Sequence, residues 1–327
     1  MRSIHGLVCF PLALSALGLA PVPARAQTLV DGGPAFVEDP NGDIPPVAEN
    51  METARTLAMG LGARASATST SAVAVNPAGM GIGRHYHIES AGLYEPQDSR
   101  FAVGGTVVDS SSGPVQAGVH FRYIHGNGKY GHAGFDTRAS LAMPLGDAFA
   151  VGLTGRYVSF WQQGQENRSP PHAQGFTFDA AIRVTPTQGL HIAALGNNLL
   201  EIANCPAGSA TVCYGRGLLP RTVGGSVSYT FEDSLTLAFD GLADLSTNRS
   251  IDGKLVPEGL FGGAVEYFTG EIPIRVGYYF DTLRSLHVFS GGLGFVTEQF
   301  AVEASVRQQI NRDAATTLLA SFRYFVQ

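Results

Sequence analysis

The histidines and serines of this sequence are the residues that could do acid-base, nucleophilic or metal chemistry. His120 and Ser140 lie on neighbouring predicted strands, so a serine nucleophile with a histidine base would need those strands in a suitable register. No G-x-S-x-G elbow supports that arrangement. His85 and His87 share one face of a predicted strand and could supply two metal ligands, but ordinary polar strand residues are the simpler interpretation. The sequence therefore predicts no enzyme, no bound metal and no cofactor.

Two cysteines could form a covalent bond or bind a metal. Cys205 and Cys213 lie in one polar segment that contains glycine and proline. A metal site would need further ligands nearby, and this segment contains no histidine. Because the N-terminus has the features of an exported protein, the spacing favours a structural disulfide within one loop.

Charged residues recur at alternate positions of the predicted strands, on the face that also carries small and polar side chains. Predicted lumenal charges are Arg122, Arg138, Arg156, Asp179, Arg183, Asp240, Glu266, Arg275, Glu303 and Arg307, and the same faces carry Asp136, Asp244, Asp281 and Arg323. Charges enclosed by a barrel are expected to pair. An ion-selective pore lined by charged rings is the alternative, but the near balance of the two signs favours a paired structural network.

A segment of small residues precedes the strands. From Glu52 to Gly83 the sequence has short helical stretches and a turn at Asn76, Pro77, Ala78 and Gly79, which is expected to cap a helix. Small side chains suit a segment that packs inside a narrow space. Residues 51–84 are therefore predicted to form a plug, and the acidic, proline-rich residues 27–50 an extended arm.

The first residues have the pattern of a cleavable secretory signal. Arg2 is followed by an apolar stretch from Leu7 to Ala20 and by Ala24, Arg25 and Ala26. A membrane anchor is the alternative, but the stretch is short and contains Pro11. Residues 1–26 are therefore expected to be removed, so that the mature chain begins at Gln27.

Charge and hydropathy limit the possible partners. Removal of Arg2 and Arg25 from the 21 basic residues leaves 19 against 27 acidic ones, a net charge of −8, which argues against nucleic acid. No stretch after the signal is long and apolar enough for a spanning helix. A membrane protein of this sequence would therefore have to be a β-barrel.

Period-two alternation dominates from His85 to the end, with turn residues at short intervals, which is typical of a membrane barrel. The pattern predicts fourteen strands in residues 85–327, an even number. They are 85–95, 99–110, 114–125, 131–144, 147–161, 174–187, 189–199, 220–231, 234–244, 258–269, 272–281, 286–297, 299–309 and 314–326.

The alternation also assigns the faces of the strands. In the strand from Ile272, Ile274 and Val276 are expected to face lipid, and Arg275 the opposite side. A soluble sandwich would alternate as well. The connections distinguish the two folds: every second one is minimal, whereas 162–173, 200–219 and 245–257 are long and polar. Short turns at one end and long loops at the other are typical of a membrane barrel with extracellular loops and both chain ends in the periplasm.

Three stretches of the sequence resemble one family of proteins. They are TARTLAMGLGARASATSTSAVAVNPAGMG from Thr53, IAALGNNLL from Ile192, and IPIRVGYYF from Ile272 followed by SGGLGF from Ser290. The chain resembles the FadL-type outer-membrane transporters of hydrophobic compounds, including their PorV-like branch. The resemblance implies a fourteen-stranded barrel with an N-terminal hatch, and only Asn76, Pro77, Ala78 and Gly79 are carried over as a motif.

Two functions are therefore expected from different classes. The first is passive passage of a hydrophobic small molecule, of the long-chain fatty acid or hydrocarbon type, across the bacterial outer membrane. The second is a non-transporting scaffold that binds exported proteins or a secretion complex. The chain is shorter than typical fatty-acid transporters of this kind, which raises the PorV-like alternative, but passive transport remains the leading expectation. Outer-membrane lipid is the expected surrounding in both cases.

Overall fold

The computed structural model describes residues 53–81, 86–97, 99–126, 132–162, 173–200, 219–251, 254–282, 285–310 and 315–326. The predicted signal, the acidic arm, His85, Cys205 and Cys213 lie outside these residues. The helices are α1 (Ala54–Ala58), α2 (Ser69–Val75) and a 3₁₀ helix (Pro77–Gly81). The strands are β1 (Tyr86–Glu95), β2 (Arg100–Asp109), β3 (Gln116–His125), β4 (His132–Pro144), β5 (Phe149–Gln162), β6 (Ala173–Thr187), β7 (Leu190–Asn197), β8 (Thr222–Phe231), β9 (Leu235–Ile251), β10 (Lys254–Phe268), β11 (Pro273–Asp281), β12 (Leu286–Val296), β13 (Phe300–Gln309) and β14 (Thr316–Val326).

The fourteen strands form one closed antiparallel barrel, as predicted. Each strand pairs with its neighbours in sequence, and β1 pairs with β14 from Tyr86 opposite Val326 to Tyr94 opposite Leu318. Closure leaves no strand edge without a partner, so backbone groups are bonded within the wall. No helix among the described residues is long and apolar enough to cross a membrane.

The two faces of the wall differ as the alternation predicts. In β11, Val276 is 59% exposed on the outer face, whereas its neighbour Arg275 is 6% exposed on the inner face. In β13, Val302 and Val306 are exposed while Glu303 and Arg307 are buried. An outer face of large apolar side chains around a polar interior is the pattern of a membrane barrel.

The predicted long loop at 245–257 is wrong. β9 continues to Ile251 and β10 begins at Lys254, and the two strands pair through this region with a register shift between Pro257 and Glu258. Alternation of apolar residues is imposed only where one face must meet lipid. A polar stretch beyond that band can therefore continue a hydrogen-bonded hairpin without showing the pattern.

The connections define two ends of the barrel. The end that carries 163–172 and 198–221 is here called the loop end, and the end where β1 starts and β14 stops is called the turn end. Connections at the turn end are short, such as the one between Thr187 and Leu190.

Residues 53–81, here called the lumen segment, lie inside the barrel. Helix α1 contacts β11–β14, α2 contacts β1–β4, and the 3₁₀ helix contacts β3–β6. Between the two α-helices, the backbone N–H of Ala65 donates to Ser226 Oγ of β8 at 2.8 Å. A segment that contacts strands around the whole circumference of a closed barrel can lie only in its interior.

The helices of the lumen segment are short because their ends are fixed locally. Thr53 caps α1 by accepting from the Thr56 N–H at 3.2 Å, and the positive φ of Gly60 ends that stretch. Pro77, which has no N–H, follows the C-cap residue Asn76 and so lies two positions after the end of α2 at Val75. Helices of five and seven residues are not stable alone in water, so burial inside the barrel stabilises them.

Candidate functional site

The Asn76 to Gly79 turn is a fully buried part of the lumen segment. Asn76 is 0% exposed and ends α2, and its side chain accepts from the Ala78 N–H at 3.2 Å and donates to the Arg64 carbonyl at 2.8 Å. These bonds satisfy backbone groups where the helix stops. The turn therefore joins both halves of the lumen segment into one unit.

Two glycines allow this turn to approach its surroundings closely. A Cβ on Gly79 would collide with the Ala67 carbonyl oxygen within the lumen segment. A Cβ on Gly152, an inward residue of β5, would collide with backbone atoms of Pro77 and Ala78. The wall thus contains a recess shaped by a missing side chain, into which the 3₁₀ helix fits.

Ion pairs connect the lumen segment to the wall on the side opposite the recess. Arg55 of α1 binds both carboxylate oxygens of Glu266, at 2.9 Å each. Glu266 also pairs with its cross-strand neighbour Arg275 at 2.5 Å, and Arg275 reaches Glu303 at 2.5 Å. Bidentate pairing of arginine with carboxylate fixes orientation as well as charge.

The same chain of contacts continues to the second helix of the lumen segment. Glu303 pairs with Arg323 at 3.0 Å, and Arg323 pairs with its cross-strand neighbour Glu89 at 3.1 Å. The Thr70 hydroxyl of α2 donates to Glu89. Ion pairs therefore run along the wall from β10 to β1, and the lumen segment binds both ends of the row.

Glycines in β12 make room for this row. Arg275 on β11 reaches Glu303 on β13 across the intervening strand, and Gly292 and Gly294 are the inward residues of β12 at that height. A Cβ on Gly294 would lie 2.8 Å from Cγ of Glu303. The glycine-rich SGGLGF stretch is thus explained by the space that these side chains need.

The Glu266 carboxylate keeps Arg55 protonated. Burial by itself lowers the pKa of Arg55, but the Glu266 carboxylate outweighs that effect and holds this pKa above its usual value. The guanidinium therefore stays protonated and paired.

A further ion pair binds the middle of the lumen segment. Asp240 of β9 is 0% exposed and accepts from Arg64 through both the side chain, at 3.1 Å, and the backbone N–H, at 3.2 Å. Ser226 of β8 also donates to Asp240. The predicted lumenal residue Asp240 thus forms its ion pair with the lumen segment, and a wall residue, Ser226, adds a hydrogen bond.

Another group of charges joins the strands β3 to β6. Arg156 binds Asp136 through two nitrogens, at 3.0 and 2.5 Å, while Arg138 lies 3.7 Å from both Asp136 and Asp179, and Arg122 lies 4.0 Å from Asp136. Arg138 also donates to the Ala74 carbonyl of α2 at 2.7 Å. This group stiffens the wall and bonds to the lumen segment at one point.

The remaining predicted charges occupy different surroundings. Arg307 lies 3.9 Å from Glu95 near the loop end. Arg183 is 4% exposed on the inner face of β6, and its Nε and Nη2 atoms have no hydrogen-bond partner among the described residues. The structure therefore brings most of the predicted lumenal charges together in groups and leaves Arg183 apart from them.

Apolar side chains cover the inner wall nearer the loop end. One cluster joins inward residues of four strands and the residue Leu219: Leu93, Ala102, Ile124, Val158, Phe160 and Leu219. A second cluster brings Leu61 and Ala78 of the lumen segment against wall residues that include Leu195, Leu242 and Val288. The lumen thus has an apolar lining on its loop-end side and an apolar contact between wall and lumen segment.

The candidate histidines and serine each bond to a hydroxyl group of another residue. His120 Nδ1 bonds to Thr106 Oγ1 at 2.5 Å, whereas the Ser140 hydroxyl bonds to Thr154 at 2.7 Å. His87 Nδ1 bonds to Ser69 Oγ at 2.5 Å. In the part of the chain that the structure describes, no group of His, Cys, Asp and Glu side chains is arranged to hold a metal ion.

Several residues of the site were not predicted from the sequence. Arg55 and Arg64 were included in the plug but were given no role, and Glu89 was not among the lumenal charges. Glu89 lies on the inner face of β1 at alternate spacing from His87, so alternation alone would have found it. The partners of the two arginines lie about two hundred residues away in sequence, and no local pattern identifies them.

The fold is shared with solved transport barrels. CymD, a monoaromatic hydrocarbon channel, superimposes with a TM-score of 0.58 over 78% of this chain and 92% of CymD, at 12% sequence identity. The Ralstonia pickettii toluene transporter TbuX gives 0.57 over 83% and 97% of the two chains, and a Pseudomonas aeruginosa FadL homologue gives 0.56 over 85% and 98%, each at 12% identity. No family model and no curated protein matches the sequence. The fold of this chain is therefore similar to that of these three barrels.

Proposed function

We propose that this chain is a bacterial outer-membrane protein that lets hydrophobic small molecules pass through a barrel closed by the lumen segment. The loop end would face outward and the turn end the periplasm, because long extracellular loops and short periplasmic turns are typical of such barrels. The N-terminal signal pattern agrees with export. Long-chain fatty acids or hydrocarbons are the substrates of this proposal, and the neighbours CymD and TbuX support it by their described activities.

The observation that carries the proposal is the apolar lining of the inner wall on the loop-end side. Val158 is 0% and Phe160 1% exposed, although both point away from lipid. An interior that held only water and ions would favour polar side chains there. Transfer of apolar surface from water to such a lining is favourable by about 25 cal/mol per Å². A hydrophobic molecule arriving from the loop end would therefore meet this cluster before the charged layer, and would bind by displacing the groups that now cover Val158 and Phe160.

The lumen segment is the gate in this proposal. Its contacts include ion pairs to β9 and β10, such as Arg55 to Glu266, hydrogen bonds such as Ala65 to Ser226, and close packing against Gly152 of β5. Passage would require the segment to leave its position against part of the wall.

Deletion of residues 51–83 tests the gate. The barrel should still fold, because its hydrogen bonds and its β1 to β14 closure involve none of these residues. The full-length protein should be closed in planar bilayers, and the deletion variant should conduct ions and admit small solutes. Faster gel migration before heating would show that the variant is folded, and a folded variant with unchanged conductance would refute the gate.

A non-transporting scaffold for exported proteins or a secretion complex is the second candidate. The row of buried ion pairs from Arg55 to Glu89, which ends in the hydrogen bond from Thr70, favours the scaffold. Breaking such buried pairs is costly, so they hold the lumen segment in place. The two candidates differ in ligand binding by the refolded mature protein. A closed barrel that binds a fatty acid or toluene supports the transporter, and a closed barrel that binds neither supports the scaffold.

A further inference from the structure

Arg183 is a buried cation with one free edge. It is 4% exposed on the inner face of β6, and its Nε and Nη2 atoms find no hydrogen-bond partner among the described residues. These two nitrogens form one edge of the planar guanidinium group and together match the two oxygens of a carboxylate. Burial of a charge is costly unless the charge is paired and hydrogen-bonded. The free edge therefore points to a site for an anion.

Two other arginines of the interior use the same edge to bind carboxylates. Arg156 donates from Nε and Nη2 to the two oxygens of Asp136, at 3.0 and 2.5 Å. Arg55 donates from Nε and Nη2 to the two oxygens of Glu266, at 2.9 Å each. The group that matches the free edge of Arg183 in this barrel is therefore a carboxylate.

A buried hydroxyl group lies at the same end of the barrel. Ser228 of β8 is 1% exposed, and its Oγ also has no hydrogen-bond partner among the described residues. Ser228 lies opposite His191 of β7, whose Nδ1 bonds to Thr185 of β6 at 3.2 Å. Thr185 is the next inward residue after Arg183. Arg183 and Ser228 are therefore two donors on one patch of the inner wall near the turn end.

The wall carboxylates nearest to this patch already have partners. Asp179, four residues before Arg183 on the same face of β6, accepts from a backbone N–H at 2.7 Å and lies 3.7 Å from Arg138. Asp240, which lies in the same row of cross-strand partners on β9, binds Arg64. An acceptor for Arg183 therefore has to come from beyond these wall residues.

The acidic arm has the charge that this patch requires. Residues 27–50, which lie outside the described residues, contain no Lys, Arg or His and five acidic residues, Asp31, Glu38, Asp39, Asp43 and Glu49. The arm leads into α1, where Arg55 binds Glu266 two residues before the end of β10. Arg183 lies four residues before the end of β6, and both strands end at the turn end. The arm therefore joins the described chain at the end of the barrel that carries Arg183.

The length of the arm selects one of its carboxylates. Strands β10 and β6 are separated by four strand spacings of ~4.8 Å, which is about 19 Å along the wall. An extended chain covers ~3.3 Å per residue, so the four residues from Glu49 to Thr53 span about 13 Å and the ten from Asp43 to Thr53 about 33 Å. Asp43 is therefore the first acidic residue whose backbone can reach Arg183.

We propose that Arg183 and Ser228 bind the Asp43 carboxylate and thereby hold the acidic arm of the mature chain against the inner wall at the turn end. Asp43 would make with Arg183 the two-bond contact that Asp136 makes with Arg156, and Ser228 would donate a further hydrogen bond. The inference concerns the arm alone and is compatible with either function proposed above.

A glutamate-specific endopeptidase measures whether the arm is bound, because it cuts after Glu38 and Glu49, on either side of Asp43. The rate is followed by mass spectrometry on the full mature protein in detergent. Arg183→Gln should speed this cleavage about tenfold or more, the effect of one contact between hydrogen-bonded charges. Asp43→Asn should have the same effect, and the double variant should be no faster than either single variant, because both changes remove one contact.

Matched controls separate this contact from a general effect of charge or packing. Asp31→Asn removes a carboxylate from the same arm and should leave the rate unchanged. Ser228→Ala should speed cleavage about threefold, the effect of one weaker hydrogen bond. Ser305→Ala should not, although Ser305 of β13 also has a buried Oγ without a hydrogen-bond partner among the described residues. Faster gel migration before heating shows that each variant is folded.

A charge exchange completes the test. Arg183→Asp should speed cleavage, and Asp43→Arg in that background should restore the wild-type rate. Unchanged cleavage of folded Arg183→Gln overturns the proposal, and so do equal effects of Asp31→Asn and Asp43→Asn. The assay uses neither a hydrophobic ligand nor conductance, so its failure is distinguishable from failure of the proposed transport.

Discussion

At the residue scale, the position of the lumen segment depends on a few long-range ion pairs. Arg55 and Glu266 are 211 residues apart in sequence and are joined by two hydrogen bonds of 2.9 Å. Removal of one member of a buried pair leaves the other without compensation, which costs more than the pair contributes. Glu266 keeps Arg275 as a partner if Arg55 is lost, so the wall itself should tolerate that change.

Arg55→Gln should therefore loosen the lumen segment without unfolding the barrel. We expect a loss of about 3 kcal/mol in the stability of the docked segment, which is roughly a hundredfold in the ratio of docked to released forms. Single-channel recordings should show frequent openings that the wild type lacks. Arg100→Gln is the control, because Arg100 pairs with Glu95 on the adjoining wall strand; comparable openings in that variant would show that the effect is not specific to the lumen segment.

At the element scale, the 3₁₀ helix packs closely against β5 because Gly152 has no side chain at the point of contact. Gly152 faces inward and touches Pro77 and Ala78, whereas Gly155 on the same strand faces outward. Insertion of a methyl group into a closely packed contact costs about 1–3 kcal/mol. The backbone of the 3₁₀ helix would have to move, because a collision with backbone atoms cannot be relieved by a rotamer change.

Gly152→Ala should displace the 3₁₀ helix and make the barrel leaky to small solutes. Liposome swelling with sugars of increasing size would measure the leak. Gly155→Ala is the matched control, because its nearest neighbour would be the Ala139 carbonyl oxygen at 3.9 Å, an ordinary contact. Equal leakage of the two variants would mean that the 3₁₀ helix does not close the lumen at this position.

At the scale of the whole molecule, the barrel and the lumen segment are stabilised by different interactions. The strands bond to both neighbours around a closed ring, while the helices of the lumen segment have five and seven residues and depend on side-chain contacts. Regions held by fewer backbone bonds open with a lower free energy than the global one. The segment can therefore be released while the wall stays folded.

Hydrogen exchange followed by mass spectrometry should resolve this difference. Amides of residues 53–81 should exchange faster than those of β12 and β13, which pair along nine positions from Val288 to Val296. Binding of a hydrophobic molecule should change the exchange rates of amides in the lumen segment and leave those of β12 and β13 unchanged. Equal protection of segment and strands would instead show that release requires unfolding of the barrel.

The sequence by itself determined the class of fold, the number of strands and the faces of the wall. Alternation is a local property, because successive side chains of a strand point to opposite sides and only one side meets lipid. It therefore assigned Arg275 and Glu303 to the interior from a few neighbouring residues. The paired extension of β9 and β10 could not be predicted in this way, since no lipid-facing pattern is required beyond the apolar band.

Only the tertiary structure decided which interior groups meet. Arg275 on β11 reaches Glu303 on β13 by crossing over two glycines of β12. Thr70 reaches Glu89 because α2 lies beside β1. Such contacts depend on the curvature of the closed wall and on the path of the lumen segment. Because these are properties of the whole chain, no local pattern contains them.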